Sequence, residues 1–356
     1  MDGIDAALMD FSTSPPKLIY SCSKPWSRDL HSNLLATRKL SDDALGHLQV
    51  LDTEIGEAFA NVSNEMLKKT GIAATNIIAI GSHGQTVRHR PNATKPFSLQ
   101  LGKASVLANL TGIKVISDFR TADIEAGGQG APLAPAFHAA AFRTSSEKRA
   151  ILNIGGIANI TVLPEDKTKL VRGFDSGPGN TLMDAWILKT KSTSYDLSGS
   201  FARKGKINEA LLASFLSDAY FQKKPPKSTG FEDFNLNWIN THLKDNLPAE
   251  DVQATLCELT AVSITDAIHR CGLSNARILV CGGGIHNTYL MERIKYHMKG
   301  GVVESTDKLG INPDFVEAIA FAWLARQTIK RLPGNLPSVT GARKAVVLGK
   351  LVKPKQ

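Results

Sequence analysis

The chain has 356 residues, 42% of them hydrophobic, with a formal net charge of +9. This length suits two domains of ordinary size, and no apolar run approaches the roughly 20 residues that a membrane span needs. Acid in Met1-Asp2-Gly3-Ile4-Asp5, where a secretion signal would carry base, points to a cytoplasmic protein.

In chain order, Ala6 to Phe11 and Lys17 to Ser23 read as strands, and the turn material Ser12-Thr13-Ser14-Pro15-Pro16 between them predicts an antiparallel hairpin. Asp2-Gly3-Ile4-Asp5 reads as the turn of an earlier hairpin whose first strand would lie upstream. Ser41-Asp42-Asp43 can cap a helix in which Leu45, Leu48, Val50, Leu51, Ile55, Phe59, Val62 and Met66 recur near helical spacing up to Gly71. The apolar run Ile77 to Ile80 predicts a buried strand that delivers Gly81-Ser82-His83-Gly84-Gln85-Thr86. A strand from Lys114 to Ser117 likewise ends in Asp118-Phe119-Arg120, with Asp123 following. After Gly127-Gly128-Gln129-Gly130, Ala134 to Phe142 reads as helix.

The pattern then restarts. Ala150 to Ile154 and Ala158 to Val162 are strands around a Gly155-Gly156 turn, where a backbone can approach a ligand closely. A short strand then runs into Asp175, a turn containing Gly177, Pro178 and Gly179, and a helix through Leu188. This order puts a carboxylate at a strand's carboxyl end, where open α/β sheets bind ligands, and aims the first amides of the helix at the same place. Asp175 is therefore the candidate catalytic base, its rival role being a helix cap.

Helices near Asn208 to Tyr220 and Ala249 to Arg270 flank a loop from Lys223 to Glu232. Within it, Lys223-Lys224 and Lys227 read as solvated surface or as a greeting for phosphate. Ala276 to Cys281 is a buried strand meeting Gly282-Gly283-Gly284, where a flat ring or ribose could lie, and Asn287 opens a helix. The spacing is neither a dinucleotide fingerprint nor a Walker motif. Phe315 to Lys330 is a helix bearing Glu317, and Ala345 to Leu348 a last strand. Four scattered cysteines argue against a zinc site or a disulfide framework, and the basic charge lacks a nucleic-acid module. Two halves, each opening with a hairpin, predict a duplicated α/β fold around a cleft.

Gly81 to His89 (GSHGQTVRH), Asp118-Phe119-Arg120 with Asp123, Gly127 to Pro135 (GGQGAPLAP), Asn153 to Thr161 (NIGGIANIT), Gly173 to Trp186 (GFDSGPGNTLMDAW), Cys281 to Gly284 and Glu317 to Ala325 (EAIAFAWLA) together resemble the anhydro-N-acetylmuramic acid kinases. The likeness runs in order through essentially the whole chain, including Asn335 to Gly341. It implies two ribonuclease-H-like domains of the actin-like and sugar-kinase fold around an interdomain cleft, with the first strand of domain 1 missing. The expected domains are 1–126 with 333–356, and 127–332. The implied reaction uses ATP, Mg2+ and water to convert 1,6-anhydro-N-acetylmuramic acid into N-acetylmuramic acid 6-phosphate, in cell-wall recycling. Asp175 would be the base. Asp2, Gly3, Asn153, Gly155, Gly156, Gly177, Gly179, Asn180, Gly282, Gly283 and Gly284 would lie on the ATP side. His83, Gln85, Arg120 and Glu317 would meet the sugar, Arg120 through the lactyl carboxylate. The expected partners are the anhydro amino sugar and ATP, with a homodimer allowed and neither membrane nor nucleic acid expected.

Each sugar-side residue has a structural rival. His83 could be a hydrogen-bonded structural histidine, Arg120 an ion-pair partner of Asp118 or Asp123, and Glu317 a first-turn acid favoured by the helix dipole. The likeness also has departures. Members normally carry a strand and a stretch like Met-Ser-Gly-Thr-Ser before Asp-Gly-Ile-Asp, forming a first phosphate loop, whereas Met1 directly precedes Asp2 here. A start assigned at an internal methionine is the favoured explanation, a true truncation the alternative. Lys103 stands where Asp is usual, and Phe231 where Arg is usual. Two other readings stay open: a non-catalytic sugar or nucleotide sensor, and a kinase for a different anhydro sugar.

Overall fold

In the computed structural model, strand β1 (Gly3–Asp10) pairs antiparallel with β2 (Lys17–Pro25), Gly3 opposite Pro25 and Asp10 opposite Lys17. The expected hairpin forms, but Gly3-Ile4-Asp5 belongs to its first strand instead of turning. The structure describes residues 3–13, 16–37, 40–41, 44, 48–243 and 246–355. Asp2, Ser14, Pro15, Asp42, Asp43 and Leu45, which entered the predicted turns and cap, lie outside these.

The chain divides into two units, Met1–Phe137 with Glu317–Gln356, and His138–Val316. The sequence-based boundaries at 126/127 and 332/333 differ from these because the helix carrying Glu317 belongs with the first unit: its Phe321, Leu324 and Ala325 pack with Ile116, Phe119 and Leu348.

In the first unit, α1 (Arg28–Thr37) and α2 (Gln49–Thr70) follow the hairpin. Leu51, Ile55 and Val62 of α2 pack with Ile4, Trp26 and Leu34, and Gly71 ends α2 in the left-handed conformation that favours glycine. Next come β3 (Ile80–Gly81), the antiparallel hairpin β4 (Gln85–Arg90) and β5 (Phe97–Leu101), α3 (Ala104–Thr111), β6 (Val115–Ser117) and α4 (Thr121–Glu125), and the unit boundary falls within α5 (Ala134–Phe142). Strand β3 pairs parallel with β6. Among the described residues β1 pairs only with β2, and β3 only with β6.

The second unit is built on one mixed sheet. Strands β7 (Arg149–Ile154), β8 (Ile157–Leu163) and β9 (Arg172–Pro178) form an antiparallel meander. Helices α6 (Thr181–Lys191), α7 (Glu209–Leu216), α8 (Ala219–Gln222), α9 (Leu236–His242) and α10 (Ala249–Arg270) precede β10 (Arg277–Cys281), α11 (Thr288–His297) and β11 (Val302–Ser305). The order is β11-β10-β7-β8-β9, with β10 parallel to both β7 and β11. Apolar residues fill successive positions of β7 and β10, as strands buried on both faces require. Helix α10 lies largely inside the same core.

The chain re-enters the first unit through α12 (Val316–Ile329), then α13 (Pro337–Thr340) and β12 (Lys350–Val352), which pairs antiparallel with β6. The last strand was expected at Ala345 to Leu348. Instead, Val346 donates its amide to the Asn335 Oδ1 at 2.8 Å, and Leu348 is used as core. No helix among the described residues is long and apolar enough to cross a membrane.

Helix α3 starts without a side-chain cap, because Lys103 occupies the N-cap position and an ammonium cannot accept from the first amides. Lys103→Ser is expected to stabilise the first unit by ~1 kcal/mol, read as a higher urea midpoint. An unchanged midpoint would mean that those amides already have adequate partners.

Candidate active site

Gly155 and Gly156 close the β7–β8 hairpin, and their carbonyls anchor the segment between β9 and α6. Gly156 accepts from the amides of Gly179 at 2.8 Å and Thr181 at 3.1 Å, while Gly155 accepts from Asn180 at 2.8 Å. Three backbone donors at the β9–α6 junction are therefore occupied, which corrects the expectation of free amides at Gly179 and Asn180. The glycine turn itself is open: a methyl group on Gly155 would come no closer than 3.7 Å to its surroundings, and on Gly156 no closer than 3.9 Å.

The three glycines after β10 divide into two kinds. Gly282 has φ +81°, and a Cβ there would stand 2.4 Å from the Asn153 Oδ1. At Gly284 it would collide with Ile154 at 2.3 Å, whereas Gly283 has nothing within 4 Å. Two of them thus let the turn press against β7, and only Gly283 faces open space. Asn153, opposite Cys281 in the ladder, forms part of that contact. Asn287 caps α11 as expected, accepting from the Leu290 amide at 3.0 Å.

Asp175 lies within β9, beside a bulge at which Asn159 pairs with Asp175 and Ala158 with Gly177. Bulges re-aim side chains. Ser176 between them turns inward and donates to the Ala158 carbonyl at 3.1 Å. The Asp175 amide donates to the Lys227 carbonyl at 3.1 Å, and its own carbonyl accepts from the Tyr220 hydroxyl at 2.9 Å. Its carboxylate Oδ2 accepts from the Thr229 amide at 3.1 Å. That donor lies in the 223–232 loop, not in α6, so Asp175 is no helix cap. Burial pushes its carboxyl up to about 6, against the pull of the Thr229 amide and the Lys227 charge. Lys227, Thr229 and Tyr220 were missed as partners of Asp175, since only the tertiary fold brings their segment beside β9.

In the first unit, the loop after β3 brings His83 to Arg120. The Arg120 Nη2 lies 2.8 Å from the His83 Nε2, and Nη1 donates to the Gly130 carbonyl at 2.8 Å. Because a guanidinium only donates, Nε2 accepts and the His83 proton sits on Nδ1. Burial, then the Arg120 charge, lowers the His83 pKa to about 3, so the ring is neutral at physiological pH. Phe321 of α12 supports it, the ring centroids 4.4 Å apart.

The ion-pair rivals for Arg120 do not form. Asp118 pairs with Lys350 at 2.7 Å, and Asp123 accepts from the Gly130 amide, Asn335 and Thr340. Arg120 Nε is buried without a partner among the described residues. Burial lowers the Arg120 pKa, and the field of Glu317 counters this. The Glu317 carboxyl is raised by the crowding protein around it, with Asp5 adding to the rise and Arg120 opposing it.

Asp5, His83, Gln85 and Glu317 all line one groove of about 940 Å3 within the first unit, whose floor includes Ile80, Phe321 and Ala325. Asp5 was not singled out in the sequence, because it was absorbed into the predicted turn. Gly3 also lines this groove; Asp2 lies outside the described residues.

These features define a two-unit α/β protein with a buried carboxylate in one unit and, in the other, a largely apolar groove that carries a few polar side chains. A sequence profile described as anhydro-N-acetylmuramic acid kinase matches residues 1–354, and the chain belongs to that family. It is 49% identical over 354 residues to the anhydro-N-acetylmuramic acid kinase of Xylella fastidiosa, covering 98% of this chain and 92% of that one. It is 46% identical over 350 residues to the enzyme of that name from Coxiella burnetii, covering 98% and 94%. Among solved structures, the activator of the 2-hydroxyisocaproyl-CoA dehydratase from Clostridium difficile, with bound ADPNP, matches with a TM-score of 0.40 at 17% identity, covering 76% of this chain and 83% of that one.

Since the Asp175 pKa is raised in the folded state, stability is highest where the carboxyl is protonated and is lost as pH rises from about 4 through 6. A rise of roughly two pH units corresponds to a penalty on the order of 3 kcal/mol. Asp175→Asn, which can still accept from Thr229, should melt higher than the wild-type protein at pH 8, with the gap closing toward pH 4. A gap independent of pH would contradict the burial described.

Proposed function

We propose that the protein is an ATP-dependent kinase that opens 1,6-anhydro-N-acetylmuramic acid with water and phosphorylates O6, giving N-acetylmuramic acid 6-phosphate and ADP in cell-wall recycling. Family membership supports the substrate class, and the observation that carries the chemistry is the Asp175 carboxyl, buried yet with a pKa of about 6. At neutral pH it is ionised and still basic enough to take a proton.

In this reading Asp175 removes a proton from water as the water oxygen bonds to the anomeric carbon. The C1–O6 bond breaks, and O6 takes the γ-phosphoryl group as ADP leaves. The amide of Thr229 and the hydroxyl of Tyr220 hold the base in position. His83, Gln85, Arg120 and Glu317 would bind the sugar. The open backbone at Gly155, Gly156 and Gly283 would lie near ATP, with Asn153, Gly177, Gly179, Asn180, Gly282 and Gly284 shaping that surface.

No three metal-ligating side chains converge among the described residues. The donor chemistry fits magnesium arriving with ATP, held chiefly by phosphate oxygens and water; bound there, it would neutralise phosphate charge. The strand order of the second unit supports a ribonuclease-H-like assignment: a three-stranded meander extended by two parallel strands.

Incubation with ATP, magnesium and the anhydro sugar should yield the 6-phosphate and stoichiometric ADP. Saturable ligand binding without ADP release would favour the sensor reading, and turnover restricted to another anhydro sugar would reassign the substrate. Asp175→Asn is expected to bind both substrates and lose turnover by at least ~10²-fold. Near-normal turnover would remove Asp175 as the base. The wild-type rate should fall below about pH 6 as the carboxyl protonates.

A further inference from the structure

The loop that supplies the Thr229 amide has a second feature, which the kinase reading does not use. Behind β9 lies a pocket of about 70 Å3 bordered by Arg172, Lys223, Lys227 and Arg270, with Asp266 as its one acidic wall residue. Arg172 and Phe174 line it. Side chains alternate along a strand, so the intervening Gly173 and Asp175 face the other side of β9.

Two of the cations are held by backbone: Arg270 Nη1 donates to the Phe221 carbonyl at 2.7 Å, and Lys227 Nζ to the Tyr220 carbonyl at 3.3 Å. The ammonium groups of Lys223 and Lys227 lie 5.6 and 4.4 Å from the Tyr220 ring centre. Burial lowers the Lys227 pKa, and the charges of Arg270 and Lys223 lower it further, against the pull of Asp175. The cluster thus carries repulsion that an anion would relieve. A water needs roughly 10–15 Å3 of such space, so a pocket of about 70 Å3 has room for a tetrahedral oxyanion.

We propose that this pocket binds a small oxyanion of the size and charge of inorganic phosphate, and that the bound anion clamps the 223–229 segment against β9. Because this segment holds Asp175 at its amide through Lys227 and at its carboxylate through Thr229, the site is regulatory. Free phosphate is neither substrate nor product of the transfer proposed above, so the inference stands apart from that reaction.

The test is calorimetry with potassium phosphate at fixed ionic strength and saturating ADP, alongside hydrogen exchange of peptides covering 223–232. Phosphate should bind saturably and slow exchange in that segment. Arg172→Gln with Arg270→Gln should weaken binding by ~10-fold or more and abolish the slowing, whereas Lys224→Gln, outside the pocket, should change neither. Arg172→Gln alone leaves the Arg270 bond to Phe221 in place, and serves if the double variant fails to fold. No saturable binding, undiminished affinity in the Arg172 variants, or glucose 6-phosphate binding as tightly as phosphate would overturn the proposal.

Discussion

The second unit depends on how the Gly155-Gly156 turn spends its carbonyls. By accepting from Gly179, Asn180 and Thr181 it fixes the exit of β9 and the first turn of α6 in one contact. A turn with side chains could accept the same bonds, but it would fill the open flank beside them. Gly179 is bound to this arrangement from the other side, since a Cβ there would stand 2.3 Å from the Gly155 carbonyl oxygen. Asp175 inherits its position from this lock: the strand end is held at the turn, so the bulge before it can direct the carboxylate to the 223–232 loop without loosening the ladder.

The first unit uses a buried carboxylate for a comparable purpose. Asp123 is fully buried, and its oxygens accept from the Gly130 amide, the Asn335 amide group and the Thr340 hydroxyl, so segments far apart in sequence meet on one charge. A buried carboxylate is tolerable when its lone pairs are occupied in this way. Its grip on Gly130 also fixes the carbonyl that receives Arg120. The guanidinium in turn orients His83 through Nε2 and adds to the burial that keeps the ring neutral, so a structural ion centre bears on a groove residue two steps away.

Much of this was legible in the residues. The strand–glycine–strand pattern around Gly155-Gly156, the strand–glycine–helix pattern around Gly282, and Glu317 near a helix start are local, and local chemistry announces them. What stayed hidden is tertiary. That the amides of Gly179, Asn180 and Thr181 are occupied results from a neighbouring turn folding over them. That Gly282 and Gly284 serve close packing while Gly283 stays open depends on where Ile154 lies. The β4–β5 hairpin was overlooked because Gln85-Thr86-Val87-Arg88-His89-Arg90 is mostly polar, and its half-buried strands lack an apolar run. The Ala345 to Leu348 run misled in the opposite sense, its apolar residues being needed for core packing.

The pKa of the Asp175 carboxyl shows how these constraints combine. A carboxylate left in solvent titrates near 4, too low to take a proton strongly at neutral pH. One buried with no donor would stay protonated and be useless as a base. Asp175 lies between these limits because burial is opposed by one backbone amide and one nearby ammonium. Both opposing groups belong to the same short segment, so movement of 227–229 would release them together and let the carboxyl rise further. The segment thereby ties the pKa of the Asp175 carboxyl to its position.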